Sequence, residues 1–194
     1  MDQYGCSPPC WEGIFPGQTA SNDGFGFLSE VAEINQSTLT RIDNENGNGY
    51  YSWRFTQRTA EDYGRAYFDN DGIYIIDLDL KRKLPLSSFI EELGEPDIVI
   101  PYSCWAETKW EHIVVLYQDM GIALMSFDSW IRPERSSVNI QPKFKIEEVF
   151  YYDPLSFYKP GTFYKISDSP DIELVKENLQ DWHGYGEYNY IECE

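Results

Sequence analysis

The sequence predicts an α+β fold in which tandem helix-then-antiparallel-strand units form one sheet with helices on one face. Three observations carry this. Apolar residues alternate with polar ones in several short runs, the signature of half-buried strands. Turn-forming clusters, Asp69-Asn70-Asp71-Gly72 and Asp119-Met120-Gly121, join neighbouring runs as hairpins. A helical pattern followed by strands occurs twice, offset by roughly 65–70 residues, as expected of a repeated unit.

Residues 1–18 contain Cys6, Pro8, Pro9, Cys10, Gly13, Pro16 and Gly17, a composition that resists regular structure and predicts an extended lead-in pinned to the body of the protein. The first unit spans 19–83. Thr19 is placed to cap a helix carrying Phe27, Leu28, Val31 and Ile34 at helical spacing. From Thr38 the period becomes two: Tyr51, Trp53 and Phe55 share one face, and Tyr50, Ser52 and Arg54 the other. A hairpin then runs from Arg65 through the Asp69–Gly72 turn to Leu80. Its second arm should turn Tyr74, Ile76, Leu78 and Leu80 to the core, leaving Ile73, Ile75, Asp77 and Asp79 on a wet face.

The second unit spans 84–130. A helix at 86–93 presents Phe89, Ile90 and Leu93 on one side and stops at Gly94, with Pro96 beyond. Strands at 98–102, 112–118 and 122–127 follow, and 130–142 reads as a loop. The remaining stretch, 143–194, holds a strand at 144–152 whose period is marked by Ile146 and Phe150, then a helix starting at Ser169-Pro170 with Ile172, Val175 and Leu179 in one stripe. The Gly184-Tyr185-Gly186 turn leads to a short terminal strand near Cys193, an aromatic tail expected to dock. Residues 1–194 are thus read as one domain.

Composition narrows the function. The chain has 33 acidic and 15 basic residues, net −18, with an excess of six acidic residues in each of 1–50, 51–140 and 141–194. No segment offers the basic footprint that a phosphate backbone or anionic membrane requires, so nucleic acid is not an expected partner. No window has the apolar length of a membrane span, and Met1-Asp2-Gln3 is not the start of a leader, so either the protein is cytosolic or a leader has been removed.

Few groups could do chemistry. His112 and His183 are the only histidines, too few for a histidine triad or a multi-histidine metal site. No nucleophile elbow, phosphate loop or dinucleotide fingerprint is present, and no cofactor or metal is expected. Asp77 and Asp79, on one strand face, are the nearest approach to a carboxylate pair and read as solvated. Asp69–Gly72 lacks the ligand spacing of a calcium loop and reads as a turn. The aromatic share of 16% is high. On a wet sheet face, Tyr51 and Trp53 would suit contacts with a protein or a sugar. Four cysteines, Cys6, Cys10, Cys104 and Cys193, fit no zinc or redox motif, and they admit three pairings into two disulfides or none.

The run Pro9-Cys10-Trp11-Glu12-Gly13-Ile14-Phe15-Pro16-Gly17-Gln18-Thr19 resembles the P-C-W-x-G-I-x-P-G-x-T opening of a family of uncharacterised bacterial envelope proteins, many of them lipoproteins. Leu93-Gly94-Glu95-Pro96-Asp97 and Trp182-His183-Gly184-Tyr185-Gly186 extend the likeness, and the former is also similar to SmpA/OmlA envelope lipoproteins and to the tandem-repeat β-lactamase-inhibitor fold. The resemblance implies an exported, disulfide-bearing, non-enzymatic binding or structural domain of the cell envelope. Another envelope protein would be its partner, and Trp11 would pack the lead-in against the sheet. It transfers no active site. The alternative is a carbohydrate-binding or carbohydrate-active protein that uses aromatics and carboxylates.

Overall fold

The structure is a computed structural model that describes residues 6–44, 46–56, 62–105, 109–128, 136–167 and 172–193, the side chains of 103–105, 109–111, 128, 167, 192 and 193 excepted. The elements are α1 (Gly24–Glu30), β1 (Thr40–Asp43), β2 (Gly49–Arg54), β3 (Tyr63–Asp69), β4 (Gly72–Pro85), α2 (Leu86–Leu93), β5 (Ile98–Trp105), β6 (Lys109–Tyr117), β7 (Ile122–Asp128), β8 (Ser137–Ile140), β9 (Lys145–Tyr152), α3 (Pro160–Ser167), α4 (Ile172–Glu177), β10 (Gln180–Asp181), β11 (Gly186–Asn189) and β12 (Ile191–Cys193). Among the described residues no helix is long and apolar enough to cross a membrane.

The fold is α+β, built on one large sheet in the order β1-β2-β3-β4-β9-β7-β6-β5-β10, antiparallel throughout, with β12 added parallel to β5. The four strands after α1 form one meander and the three after α2 another. The two run toward each other, and β9 fills the gap between β4 and β7. The helix-then-strands repetition in the sequence is thus visible as two meanders facing across a late strand. A separate ribbon pairs β8 with β11, so the stretch 130–142, read as a loop, contains a strand.

Helices cover both faces, so the expectation of helices on one face holds only for α1 and α2. Leu28, Leu86 and their neighbours pack with Tyr51, Trp53, Ile76, Leu78, Val115 and Val149 on the first face. Phe163 and Ile166 of α3 and Val175 of α4 pack with Ile75, Val114, Leu116, Phe150 and Tyr152 on the second. In the segment 157–167, Pro160-Gly161 at the helix start hid α3 from a reading by period. Pro160 at the first turn is nonetheless compatible with a helix, because its missing N–H would have had no partner there.

Local chemistry explains the main departures from the expected boundaries. Thr19 does not cap α1; its Oγ1 accepts from Phe15 N–H at 2.9 Å and closes a turn of the lead-in, so the helix begins at Gly24. The lead-in is pinned as expected: Gly17 N–H donates to Ile73 O at 2.7 Å, and Ile73 N–H to Thr19 O at 2.9 Å. In β4 the alternation is shifted by a bulge: Tyr67 pairs with Ile75 and Phe68 with Ile73, so Tyr74 is left over. Ile73 therefore joins the first face and Tyr74 the second, the reverse of the expected sides, while Ile76, Leu78 and Leu80 lie as expected. A second register shift, between Asp79 and Leu84, sets extra residues of β4 against β9; Ile146 joins the first core and Phe150 the second, although period two puts them on one side. The N–H groups that open α2 are taken by distant carbonyls, Leu86 by Phe144 and Ser87 by Pro142, which fixes that helix to the turn before β9. The start of α4 at Ser169-Pro170 lies outside the described residues.

Candidate functional site

Tyr51 and Trp53, the expected contact residues, are 0% and 1% exposed. Their shared face is the inner one, because the lead-in folds over it. The Trp11 ring stacks on Trp53 with centroids 5.3 Å apart and planes 17° from parallel, and Tyr51 donates its hydroxyl hydrogen to Ser21 O at 2.5 Å. These two side chains hold the lead-in down and present nothing to a ligand.

Asp77 and Asp79 are the second correction. They are 5% and 8% exposed, because β9 flanks them and α3 and α4 cover much of the face read as wet. Register places Glu148 of β9 directly opposite Asp79, in phase with Phe150 and Tyr152 of the second core. Three carboxylates thus share a largely dry sheet face. Cross-strand neighbours of this kind hold their Cβ atoms about 5 Å apart, close enough for strong mutual repulsion when ionised. Compensation is partial. Arg65 Nη1 lies 3.8 Å from Asp77 Oδ2, and Lys81 Nζ lies 3.2 Å from Asp79 Oδ2. Asp77 Oδ1 is buried with no hydrogen-bond partner among the described residues.

Burial, then the neighbouring aspartates, pushes the Glu148 carboxyl well above the usual range, and the Arg65 charge opposes this only weakly. Burial also raises Asp77, against the pull of Arg65. Tyrosines frame the cluster: Arg65 lies over the Tyr63 ring at 4.5 Å and donates to Tyr67 Oη at 3.3 Å, while Lys165 Nζ from α3 sits 4.3 Å above the Tyr67 ring. Carboxylates held at different protonation states can serve as acid and base. Glu148 was missed in the sequence; the available signal was an acidic residue in phase with buried aromatics.

The first face carries a groove of about 960 Å³ between the lead-in and α2. One wall is the Cys6–Cys10 disulfide loop with Trp11; the other is Phe89 and Leu93 of α2; Ile122, Val149 and Tyr151 form the floor. Glu12 and Glu92 add acidic groups to this apolar lining. The disulfide constrains the Cys6–Cys10 loop, so that wall has less conformational freedom to lose on contact.

The remaining sequence candidates do little chemistry. His112 is buried, edge-on to Phe127 at 4.3 Å, and burial lowers its pKa to about 4, so it is neutral at physiological pH. His183 is exposed and stacks on Tyr188 at 4.2 Å. Asp69 is a turn residue whose Oδ1 accepts from the N–H groups of Asp71 and Gly72. Among the described residues no three His, Cys, Asp or Glu side chains could hold a metal. Cys6 pairs with Cys10, and the backbones of Cys104 and Cys193 are register partners on adjacent parallel strands. Comparison of the chain with family models, curated proteins and solved structures finds no match.

Proposed function

We propose that this chain is a non-enzymatic binding domain of an extracytoplasmic compartment, and that its groove takes an apolar, basic segment of a partner protein. The observation that carries the reading is the groove itself. Apolar walls and floor would bury the side chains of such a segment, and Glu92 would pair with one of its cations. A net charge of −18 favours a basic partner over an acidic one and speeds its approach. The Cys6–Cys10 disulfide supports the compartment, since such bonds persist where conditions are oxidising.

Titration of a leucine-lysine amphipathic peptide against the chain, followed by calorimetry, tests the proposal. Saturable binding is expected, with the leucine-glutamate counterpart at least about tenfold weaker. Glu92→Lys and Leu93→Ser should each weaken the basic peptide. Equal binding of both peptides, or indifference to both substitutions, would refute it.

The second reading, a carbohydrate-active protein, is favoured by the Asp77, Asp79 and Glu148 cluster. Register makes Asp79 and Glu148 direct cross-strand neighbours, and retaining glycosidases likewise use two carboxyl groups held close together. Turnover of aryl glycosides that Glu148→Gln abolishes would favour this reading over the first.

A further inference from the structure

The two cysteines outside the Cys6–Cys10 loop meet on the edge of β5 away from β6. Two short strands lie along that edge. In β10, Gln180 pairs with Val99 and Asp181 with Ile98; in β12, Ile191 pairs with Tyr102, Glu192 with Ser103 and Cys193 with Cys104. The Ile191–Tyr102 pair fixes the face. Both residues are buried in the second core, and Cys193 and Cys104 each stand two positions further along the same strands. Strand period two therefore places both cysteines on that same face.

Register also sets their separation. Neighbouring strands lie about 4.8 Å apart, so directly paired Cα atoms fall within the roughly 4.4–6.8 Å that a disulfide spans. The other pairings fail on topology. Cys6 and Cys10 wall the groove on the first face, over Ile122 and Val149, so a bond from either to Cys104 or Cys193 would have to join opposite faces of the sheet. A covalent tie at this point has an effect to exert, because β12 is a three-residue strand in a parallel ladder, the weaker kind of pairing.

We infer that Cys104 and Cys193 form a second disulfide, a staple that holds β12 on the edge of β5. It forms by exchange with a small-molecule disulfide such as oxidised glutathione. One cysteine thiolate attacks the oxidant and displaces a glutathione thiolate; the other cysteine thiolate attacks the mixed disulfide, closes the Cys104–Cys193 bond and displaces the second. The cysteines give up two electrons to the oxidant, and their two protons end on the released glutathione thiols. The staple closes a loop of roughly 90 residues, against a separation of 4 for Cys6–Cys10, so it restricts the unfolded chain far more. It is independent of the groove and of the carboxylate cluster.

Incubation of the full chain with oxidised glutathione, alkylation of the remaining thiols and tryptic digestion without reduction test the inference. Cleavage after Arg41, Lys83, Lys109 and Lys176 leaves Cys6 and Cys10 together on peptide 1–41, Cys104 on 84–109 and Cys193 on 177–194. Mass spectrometry should find 84–109 joined to 177–194, and 1–41 closed on itself. Cys104→Ser combined with Cys193→Ser should lower Tm by roughly 10 °C, about twice the loss from Cys6→Ser combined with Cys10→Ser. Alkylated thiols at both Cys104 and Cys193, a bond from either to peptide 1–41 or to another chain, or an unchanged Tm in the Cys104→Ser, Cys193→Ser variant would overturn the inference.

Discussion

The two faces of the central sheet are made by alternate residues of the same strands, yet they differ in kind. On the first, Tyr51, Trp53 and Trp11 stack into a dry aromatic layer beneath the lead-in. On the second, β3, β4 and β9 place Tyr63, Arg65, Asp77, Asp79 and Glu148 among apolar neighbours. Stability alone accounts for the first face: large rings are buried, and the Tyr51 hydroxyl is hydrogen-bonded. It does not account for the second, where apolar side chains of similar volume would avoid desolvating like charges. Two alternating patterns in one strand can thus serve different ends.

The largest effect should come from the dry face. Trp53→Ala removes the ring that Trp11 stacks on and should cost about 3–5 kcal/mol in urea unfolding. A loss under about 1 kcal/mol would mean that the lead-in is not packed as described. Gly64→Ala sharpens the same point from the neighbouring strand, because a Cβ at Gly64 would collide with the Trp53 ring. A loss of about 1–3 kcal/mol is expected. Replacing both Cys6 and Cys10 by serine should cost about 2 kcal/mol in the loop-entropy model, and should weaken peptide binding in the groove more than it weakens the sheet.

The second face should act with the opposite sign. Glu148→Gln should stabilise the protein by roughly 2–4 kcal/mol at pH 8, since the amide keeps the shape and removes a charge the site disfavours. The same variant at pH 5, where Glu148 is already protonated in the folded state, should show little gain.

The sequence revealed the aromatic face and its layers better than the charged one. Tyr51, Trp53 and Phe55 were assigned to one side by period, and so were Ile76, Leu78 and Leu80. Whether that side faces water depends on what lies over it, and the Trp11–Trp53 stack joins residues 42 positions apart, beyond any local pattern. Asp77 and Asp79 were read as solvated for the same reason: α3 and α4, which cover much of their face, come from the far end of the chain. Tyr74 changed sides because a bulge is a property of strand pairing, which one strand's sequence does not display. Glu148 became legible only once register set it opposite Asp79.

Stability as a function of pH tests the contrast between the faces most directly. Glu148 and Asp77 have raised folded-state pKa values, so the folded chain holds more protons than the unfolded one, and the stability they contribute falls as pH rises from the ordinary carboxylate range to about 8 for Glu148. Neutral His112, with its pKa lowered to about 4, acts in the other sense, adding stability as pH rises from there to its unfolded value near 6.5. Above pH 6.5 what remains of the His112 and Asp77 effects is small, and the Glu148 effect dominates. Urea unfolding at pH 6.5 and 8.5 should therefore show the natural protein losing stability across that interval while Glu148→Gln stays level. A level natural protein, or a Glu148→Gln variant that is the less stable of the two at pH 8.5, would contradict the assignment of a strained, charged face opposite a dry one.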